Sequence, residues 1–274
     1  MEVVDAHQHI GDLADALGDF EAHETKQSVE EEAQGRVRAL DAGGVDWAII
    51  QPAHAYLKPD GIKDTMRIND GIAAYRRFAP TRFRMALGTV EPLHGERTME
   101  EVDRCKRELK LDGLSWHHRL QGCYIDNKWM RPILRRMADL KMVPLIHTNA
   151  ESKLEAPWRL QRLAYEFPEH TFIALDAFYS YEQSMEVLFI AERTPNILWD
   201  VGGPTGWAQV AAWIPKHGSE KFTFSAGISY AAMRKPGRSR LLDSILKSPG
   251  LTDDDKANIL SRNVRKAFGI KGKK

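Results

Sequence analysis

Eight short apolar runs, spaced so that a helix fits between neighbours, constrain this chain more than any other feature. They are Val3–Val4, Trp47–Ile50, Met85–Val90, Gly113–Trp116, Val143–Ile146, Phe172–Leu175, Ile197–Trp199 and Phe222–Phe224. Helical patterns lie between them. Ser28–Ala42 opens on a Ser-x-x-Glu capping box (Ser28, Glu31) and stops at Gly43-Gly44, and Thr98–Leu109 opens on the same box at Thr98 and Glu101. Met130–Leu140, Trp158–Phe167, Glu182–Arg193 and Ala208–Pro215 follow, then Ser239–Leu246 and Asp253–Phe268. Strand and helix alternate with no long Pro/Gly/Ser linker, which predicts an α/β chain folded as a single (β/α)8 TIM barrel over residues 1–270. Residues 271–274 form a basic tail. An open doubly wound sheet is the alternative. It needs a glycine-rich phosphate turn after the first strand, where this chain carries two histidines.

Composition narrows the partners. Among 274 residues, 39 are basic and 38 acidic, a net charge of +1 that argues against a nucleic-acid footprint. No apolar run approaches the roughly 20 residues of a membrane span, and a strand beginning at Val3 leaves no room for a signal peptide. Cys105 and Cys123 have no CxxC partner and read as reduced thiols. A soluble, cytoplasmic protein acting on a small molecule is expected, with no nucleic-acid or membrane partner and a homodimer left open. The acidic, partly apolar segment from Gly11 to Gln27 is expected over the barrel mouth.

In such a barrel, catalytic side chains gather at the carboxyl ends of the strands. Here those ends read His7-Gln8-His9, Gln51-Pro52-Ala53-His54, Glu91-Pro92, Trp116-His117-His118-Arg119, His147-Thr148-Asn149, Asp176, Asp200 and Ser225-Ala226-Gly227. Six of the chain's 10 histidines fall there, which directs attention to metal chemistry. His7 and His9 sit two apart, so both imidazoles leave one side of the strand and suit a divalent metal. His147, ending Val-Pro-Leu-Ile-His, is expected to join them. Of the adjacent His117 and His118, at most one faces the barrel axis. Arg119 reads as a clamp for a substrate carboxylate or as a structural ion pair. Asp5 reads as a structural carboxylate behind strand one. Trp116 and Trp199 read as core, His54 as an exposed or capping loop residue, and His94, His170 and His217 as residues without a role.

These motifs resemble the amidohydrolase superfamily, in its amidohydrolase 2 branch of aminocarboxymuconate-semialdehyde decarboxylase-like hydrolases and decarboxylases. Asp5-Ala6-His7-Gln8-His9 fits the family's Asp-x-His-x-His. Gly113 to Asp126 resembles its strand-four segment, Pro144 to His147 its strand-five histidine, and Asp253 to Gly269 its closing helix. The resemblance implies that His7, His9 and His147 bind one divalent metal, usually zinc. Two positions depart from the pattern. Asp176 stands where the family has a strand-six histidine, and Gly227 stands where it has a strand-eight aspartate that binds metal and handles the water proton. Asp176 is then expected as base or ligand, and His118 as an acid–base if it faces the axis. The resulting expectation is a metal-dependent hydrolase of a small organic acid, ester, lactone or amide. A non-oxidative decarboxylase, other lyase or cyclase, with Arg119 holding a carboxylate, is the alternative. A metal-free binding protein is a third reading, resting on Gly227.

Overall fold

The computed structural model describes residues 1–10, 29–54, 58–203, 206–226 and 237–271. The Gly11–Gln27 segment and Gly227, both singled out above, lie outside the described residues. The elements alternate as expected. They are β1 (Val4–Ile10), α1 (Val29–Gly43), β2 (Trp47–Pro52), α2 (Ile62–Arg76), β3 (Met85–Gly88), α3 (Arg97–Arg107), β4 (Gly113–Trp116) and a single helical turn, α4 (His118–Gln121). Then come α5 (Met130–Asp139), β5 (Val143–His147), α6 (Pro157–Glu166), β6 (Phe172–Leu175), α7 (Tyr181–Arg193), β7 (Ile197–Asp200), α8 (Trp207–His217), β8 (Phe222–Thr223) and α9 (Arg240–Lys247). The closing helix runs as α10 (Asp253–Ala257), a π-helical turn (Asn258–Arg262) and α11 (Asn263–Ala267).

The eight strands pair in parallel in the order β1 to β8. The Ala6 amide donates to Phe224 O across 3.0 Å, bringing the first strand against the end of the last. This is a (β/α)8 barrel. Among the described residues no helix is long and apolar enough to cross a membrane.

The strand period of two sorts side chains between the barrel interior and the helix layer. On β2, Trp47 and Ile49 join the interior cluster while Ala48 and Ile50 join the outer one. On β5, Val143 and Leu145 point inward, so His147 continues the inward phase at the mouth.

The first strand needs a correction to that phase. Val4 and Ala6 belong to the interior cluster, so unbroken alternation would carry Gln8 inward and turn His7 and His9 out. The ladder prevents this. Asp5 pairs with Ala48 but Gln8 pairs with Ile50, three steps on β1 against two on β2. One extra residue makes a bulge, and His9 then sits opposite Gln51 on the inward phase. Asp5 holds the bulge, accepting the His7 backbone N–H at 2.9 Å and the Gln8 side-chain amide at 2.6 Å. Gln8 is sent outward, where its Oε1 accepts from Arg36 of α1 at 2.6 Å.

Two expectations are corrected here. The helix α2 is added between β2 and β3. The capping box at Thr98 does not form: α3 begins one residue earlier, and the Thr98 hydroxyl donates to Glu91 O at 2.9 Å. Glu101 instead binds Asn69 at 2.7 Å and Arg104 at 2.7 Å.

Replacing Asp5 by Ala strands a buried amide N–H and a buried carboxamide. Each unsatisfied group costs about 1–3 kcal/mol. Asp5→Ala is therefore expected to lower unfolding free energy by about 2 kcal/mol or more in denaturant titration. An unchanged transition would show that the bulge stands without this carboxylate.

Candidate active site

Three ring nitrogens meet at the mouth. His7 Nε2 lies 3.0 Å from His9 Nε2, His9 Nε2 lies 3.1 Å from His147 Nε2, and the third edge is 3.3 Å. The outer nitrogens of two rings face carbonyl groups, which only accept. His9 Nδ1–H donates to Pro52 O at 2.8 Å and His147 Nδ1–H donates to Trp116 O at 2.8 Å. Those bonds fix the tautomers and leave both Nε2 lone pairs pointing at the centre. The outer nitrogen of His7 faces carboxylates instead, Asp200 Oδ2 at 3.5 Å and Asp176 Oδ1 at 3.8 Å.

This arrangement fits a metal ion on its own geometry. Three lone pairs converging at about 3 Å repel unless a cation or a shared proton lies among them. Ligands at the about 2.0–2.1 Å of a zinc–imidazole bond stand about 3.3 Å apart in a tetrahedron and about 2.9 Å apart on an octahedral face. The observed edges span that interval. Burial pushes His9 and His147 well below the ordinary histidine pKa, with neighbouring imidazoles adding to the shift, so both are neutral, the form that can offer a lone pair to a metal. Burial acts the same way on His7, but the bond to Asp200 and the charges of Asp176 and Asp200 outweigh it and raise the His7 pKa from its ordinary value.

A second group stands beside the triangle. The His117 ring lies on the His147 ring, centroids 4.3 Å apart and planes 3° from parallel. Its Nδ1 is 2.6 Å from Glu155 Oε1, a fully buried carboxylate in the segment after β5. The same oxygen accepts the Arg119 backbone N–H at 3.0 Å. The Arg119 guanidinium is 3.5 Å from Glu155 Oε2 and 3.4 Å from His117 Nε2, with its side chain 43% exposed. Arg119 therefore carries a structural ion pair and still presents its fork to the mouth.

Asp176 completes the ring. It has φ 58°, the left-handed region, at the end of β6. Such a conformation costs of order 1 kcal/mol for a residue with a side chain and persists only where the surroundings hold it. Here Gln183 of α7 donates to the Asp176 carbonyl at 2.8 Å. The carboxyl group is 14% exposed, and burial raises its pKa against the lowering effect of His7 and His117. The Tyr179 hydroxyl bonds to it and is pushed up to about 12, chiefly by that carboxylate.

The structure thus brings His7, His9, His147, Asp176 and Arg119 together at one mouth. His118 is not with them. It is fully buried, its ring 6.3 Å from that of Trp116, with neither nitrogen hydrogen-bonded, and burial drives its pKa to about 3. His117, not His118, faces the site, because the chain turns into α4 directly after β4. His54 is also corrected. It is buried, with Nε2 3.2 Å from Ser115 Oγ and its ring 5.6 Å from that of His147. His170 is buried as well, bonded to Leu134 O at 2.8 Å. Trp116 and Trp199 are core, and both cysteines are free and buried. Three site residues escaped sequence reasoning as site residues: His117, Glu155 and Asp200. Asp200 ends β7, the position that pointed to Asp176. Glu155 lies in a connecting segment that carries no signal.

Comparison with known proteins places this geometry. In fold the chain is similar to 2,6-dihydroxybenzoate decarboxylase from Rhizobium, at 18% identity over 99% of this chain and 100% of that one, with a TM-score of 0.71. It is similar to 4-oxalomesaconate hydratase from Rhodopseudomonas palustris, at 15% identity over 98% and 96%, with a TM-score of 0.71. It is also similar to a 5-carboxyvanillate decarboxylase from Novosphingobium aromaticivorans, a structure with bound manganese and 3-methoxy-4-hydroxy-5-nitrobenzoic acid, at 16% identity over 98% and 96%, with a TM-score of 0.67. No curated protein matches the chain by sequence. The sequence model of the second amidohydrolase family matches residues 4–270, from the first strand to the end of the closing helix. A barrel whose histidines meet at the strand ends, matched along nearly its whole length, belongs to the amidohydrolase 2 family and is an enzyme of that type.

Proposed function

We propose that this enzyme transforms a small organic acid using one divalent metal held by His7, His9 and His147, by lyase chemistry that removes or adds CO2 or water. The observation that carries the reading is the triangle of Nε2 atoms, with Asp176 and Arg119 at the same mouth. A divalent ion there supplies a Lewis acid for a carbonyl or carboxylate oxygen. Three neutral nitrogens favour zinc, and manganese in a fold neighbour makes it the second candidate.

The chain's own groups supply the rest. Arg119 receives a substrate carboxylate through its planar fork, and Glu155 holds the guanidinium for that contact. Asp176, shifted by burial toward its protonated form, gives a proton to the carbon that CO2 leaves. Decarboxylases and a hydratase among the fold neighbours support a lyase. Hydrolysis of an ester, lactone or amide is the second reading, favoured by the same Asp176 acting, when ionised, as a base toward water. The acid–base role expected of His118 passes to His117, whose ring faces the mouth. We also propose that two chains pair. Tyr181, Met185 and Phe189 stand at i, i+4 and i+8 on α7 and are 61%, 47% and 57% exposed, an apolar stripe on one helix face.

Five outcomes are expected. Titration with Zn²⁺ or Mn²⁺ should give one ion per chain, lost on replacing His7, His9 or His147 by Ala. The bound state excludes a proton from His7, whose pKa is raised, so binding should release a proton and weaken as pH falls through the His7 value. Calorimetry in buffers of different ionisation enthalpy measures both, and a pH-independent affinity would remove His7 from the ligand set. With a panel of carboxylated aromatics and lactones in D2O containing ¹⁸O-water, lyase action should place deuterium on carbon. Hydrolysis should place ¹⁸O in the newly formed carboxyl group with no deuterium on carbon, and that result would replace the lyase reading. Asp176→Asn, which tolerates the left-handed backbone, should cut kcat/KM by about 10²–10⁴-fold. Light scattering should give twice the 31.1 kDa chain mass, falling to one chain for Phe189→Glu.

A further inference from the structure

Asp200 lies at the end of β7 behind His7 and is fully buried. Its Oδ1 accepts the Gly202 backbone N–H at 2.8 Å, and its Oδ2 accepts the Ser225 hydroxyl at 2.9 Å. Among the described residues, the group that meets this carboxylate as an ion-pair partner is His7, Nδ1 to Oδ2 at 3.5 Å. The backbone also closes in on it. A Cβ at Gly202 would strike Ser225 Oγ and stand 3.1 Å from both Asp200 oxygens, so the chain approaches the carboxylate as closely as glycine allows. A buried carboxylate is costly unless paired. Two neutral donors hold its position, and the His7 ring occupies the remaining side.

The three rings of the triangle differ in what stands behind them. His9 and His147 are backed by backbone carbonyls, and His7 by carboxylates. Of those two carboxylates, Asp176 is farther, at 3.8 Å, partly exposed and at the mouth. Asp200 is rigid and enclosed. We propose that Asp200 is the positioning residue of the metal site: it holds His7 with hydrogen on Nδ1 and the Nε2 lone pair in the triangle. It thereby brings a negative charge to the triangle from strand seven, one bond removed. The inference rests on the three-histidine metal reading.

Asp200→Asn tests it because the shape is kept while the acceptor pattern is broken. If the new amide turns its NH2 toward His7, donor meets donor and His7 must move its hydrogen to Nε2. If the NH2 turns the other way, it meets the Gly202 N–H. The first readout uses the metal-free protein. ¹⁵N imidazole NMR should show His7 protonated at Nδ1 in the wild type and shifted toward Nε2 in Asp200→Asn, with thermal unfolding still cooperative. The second is Zn²⁺ affinity by competition with a chromophoric chelator, which should fall about 10–100-fold in Asp200→Asn. Ser225→Ala, which leaves the carboxylate in place, should fall less. An unchanged His7 tautomer together with affinity within threefold of wild type overturns the role of Asp200, even where His9→Ala confirms the metal site. Absence of metal uptake by the wild type overturns the metal reading instead. The two failures are thus separable.

Discussion

One extra residue in the first strand decides which way the histidines of this protein face. A period of two makes a strand's faces interchangeable by a single-residue slip. Here Val4 and Ala6 need the barrel interior, and His7 and His9 need the mouth, yet the two sets have opposite parity. No straight strand satisfies both. The bulge between Asp5 and Gln8 does, and Asp5 satisfies the amide that the bulge takes out of the ladder. The aspartate of Asp-x-His-x-His is thus explained without a role in chemistry. Burial raises its pKa to about 6 despite three donors, the His7 and Ala226 backbone N–H groups and the Gln8 amide, so it is a carboxylate at neutral pH, the form that accepts these bonds.

The mouth is built by putting imidazoles against carboxylates in a dry setting. Asp5, Glu155 and Asp200 are fully buried, and Asp176 keeps 14% of its side chain exposed. Each touches a histidine or the strand that carries one. Glu155 turns the His117 ring, and that ring lies flat on His147. The carboxylates thus act on the triangle through rings rather than by entering it. That division gives orientation by charge and coordination by neutral nitrogen, the pairing expected where ligands must be both basic and fixed.

How much of this was legible depends on whether apolar residues marked the place. All eight strands could be read because both faces of a parallel barrel are buried, leaving runs such as Val143–Ile146 with no polar interruption. The helix α2 escaped because the first half of its buried face is polar. Asp64, Thr65 and Asn69 are buried, and Asn69 bonds Thr89 O and Glu101, while Ile72, Ala73 and Tyr75 reach the core only in the second half. A face that changes from hydrogen bonds to apolar packing midway leaves too short an apolar stripe to find. The Thr98 box failed for a related reason, since Glu101 is claimed by Asn69 and Arg104 from other elements. His7, His9 and His147 could be read because strand ends predict a common mouth. The choice between His117 and His118 could not, because it depends on where β4 gives way to α4. Glu155 acts across 38 residues of sequence, a separation no local pattern encodes.

Asp176 and Asp200 end adjacent strands, and both face the outer edge of His7, yet the fold treats them oppositely. Asp200 has ordinary backbone, two donors and no exposure, the conditions that immobilise a charge. Asp176 is held in a left-handed turn, keeps an open side and is shifted toward protonation. A group meant only to balance charge gains nothing from either strain or exposure. A group meant to exchange a proton with a substrate needs access, and it needs a pKa lifted from the ordinary carboxylate range toward neutrality. Placing both at one imidazole lets a single ring be anchored by one carboxylate while the other stays free to change its charge. In the proposed mechanism, counter-charge and proton handling are therefore divided between strands seven and six.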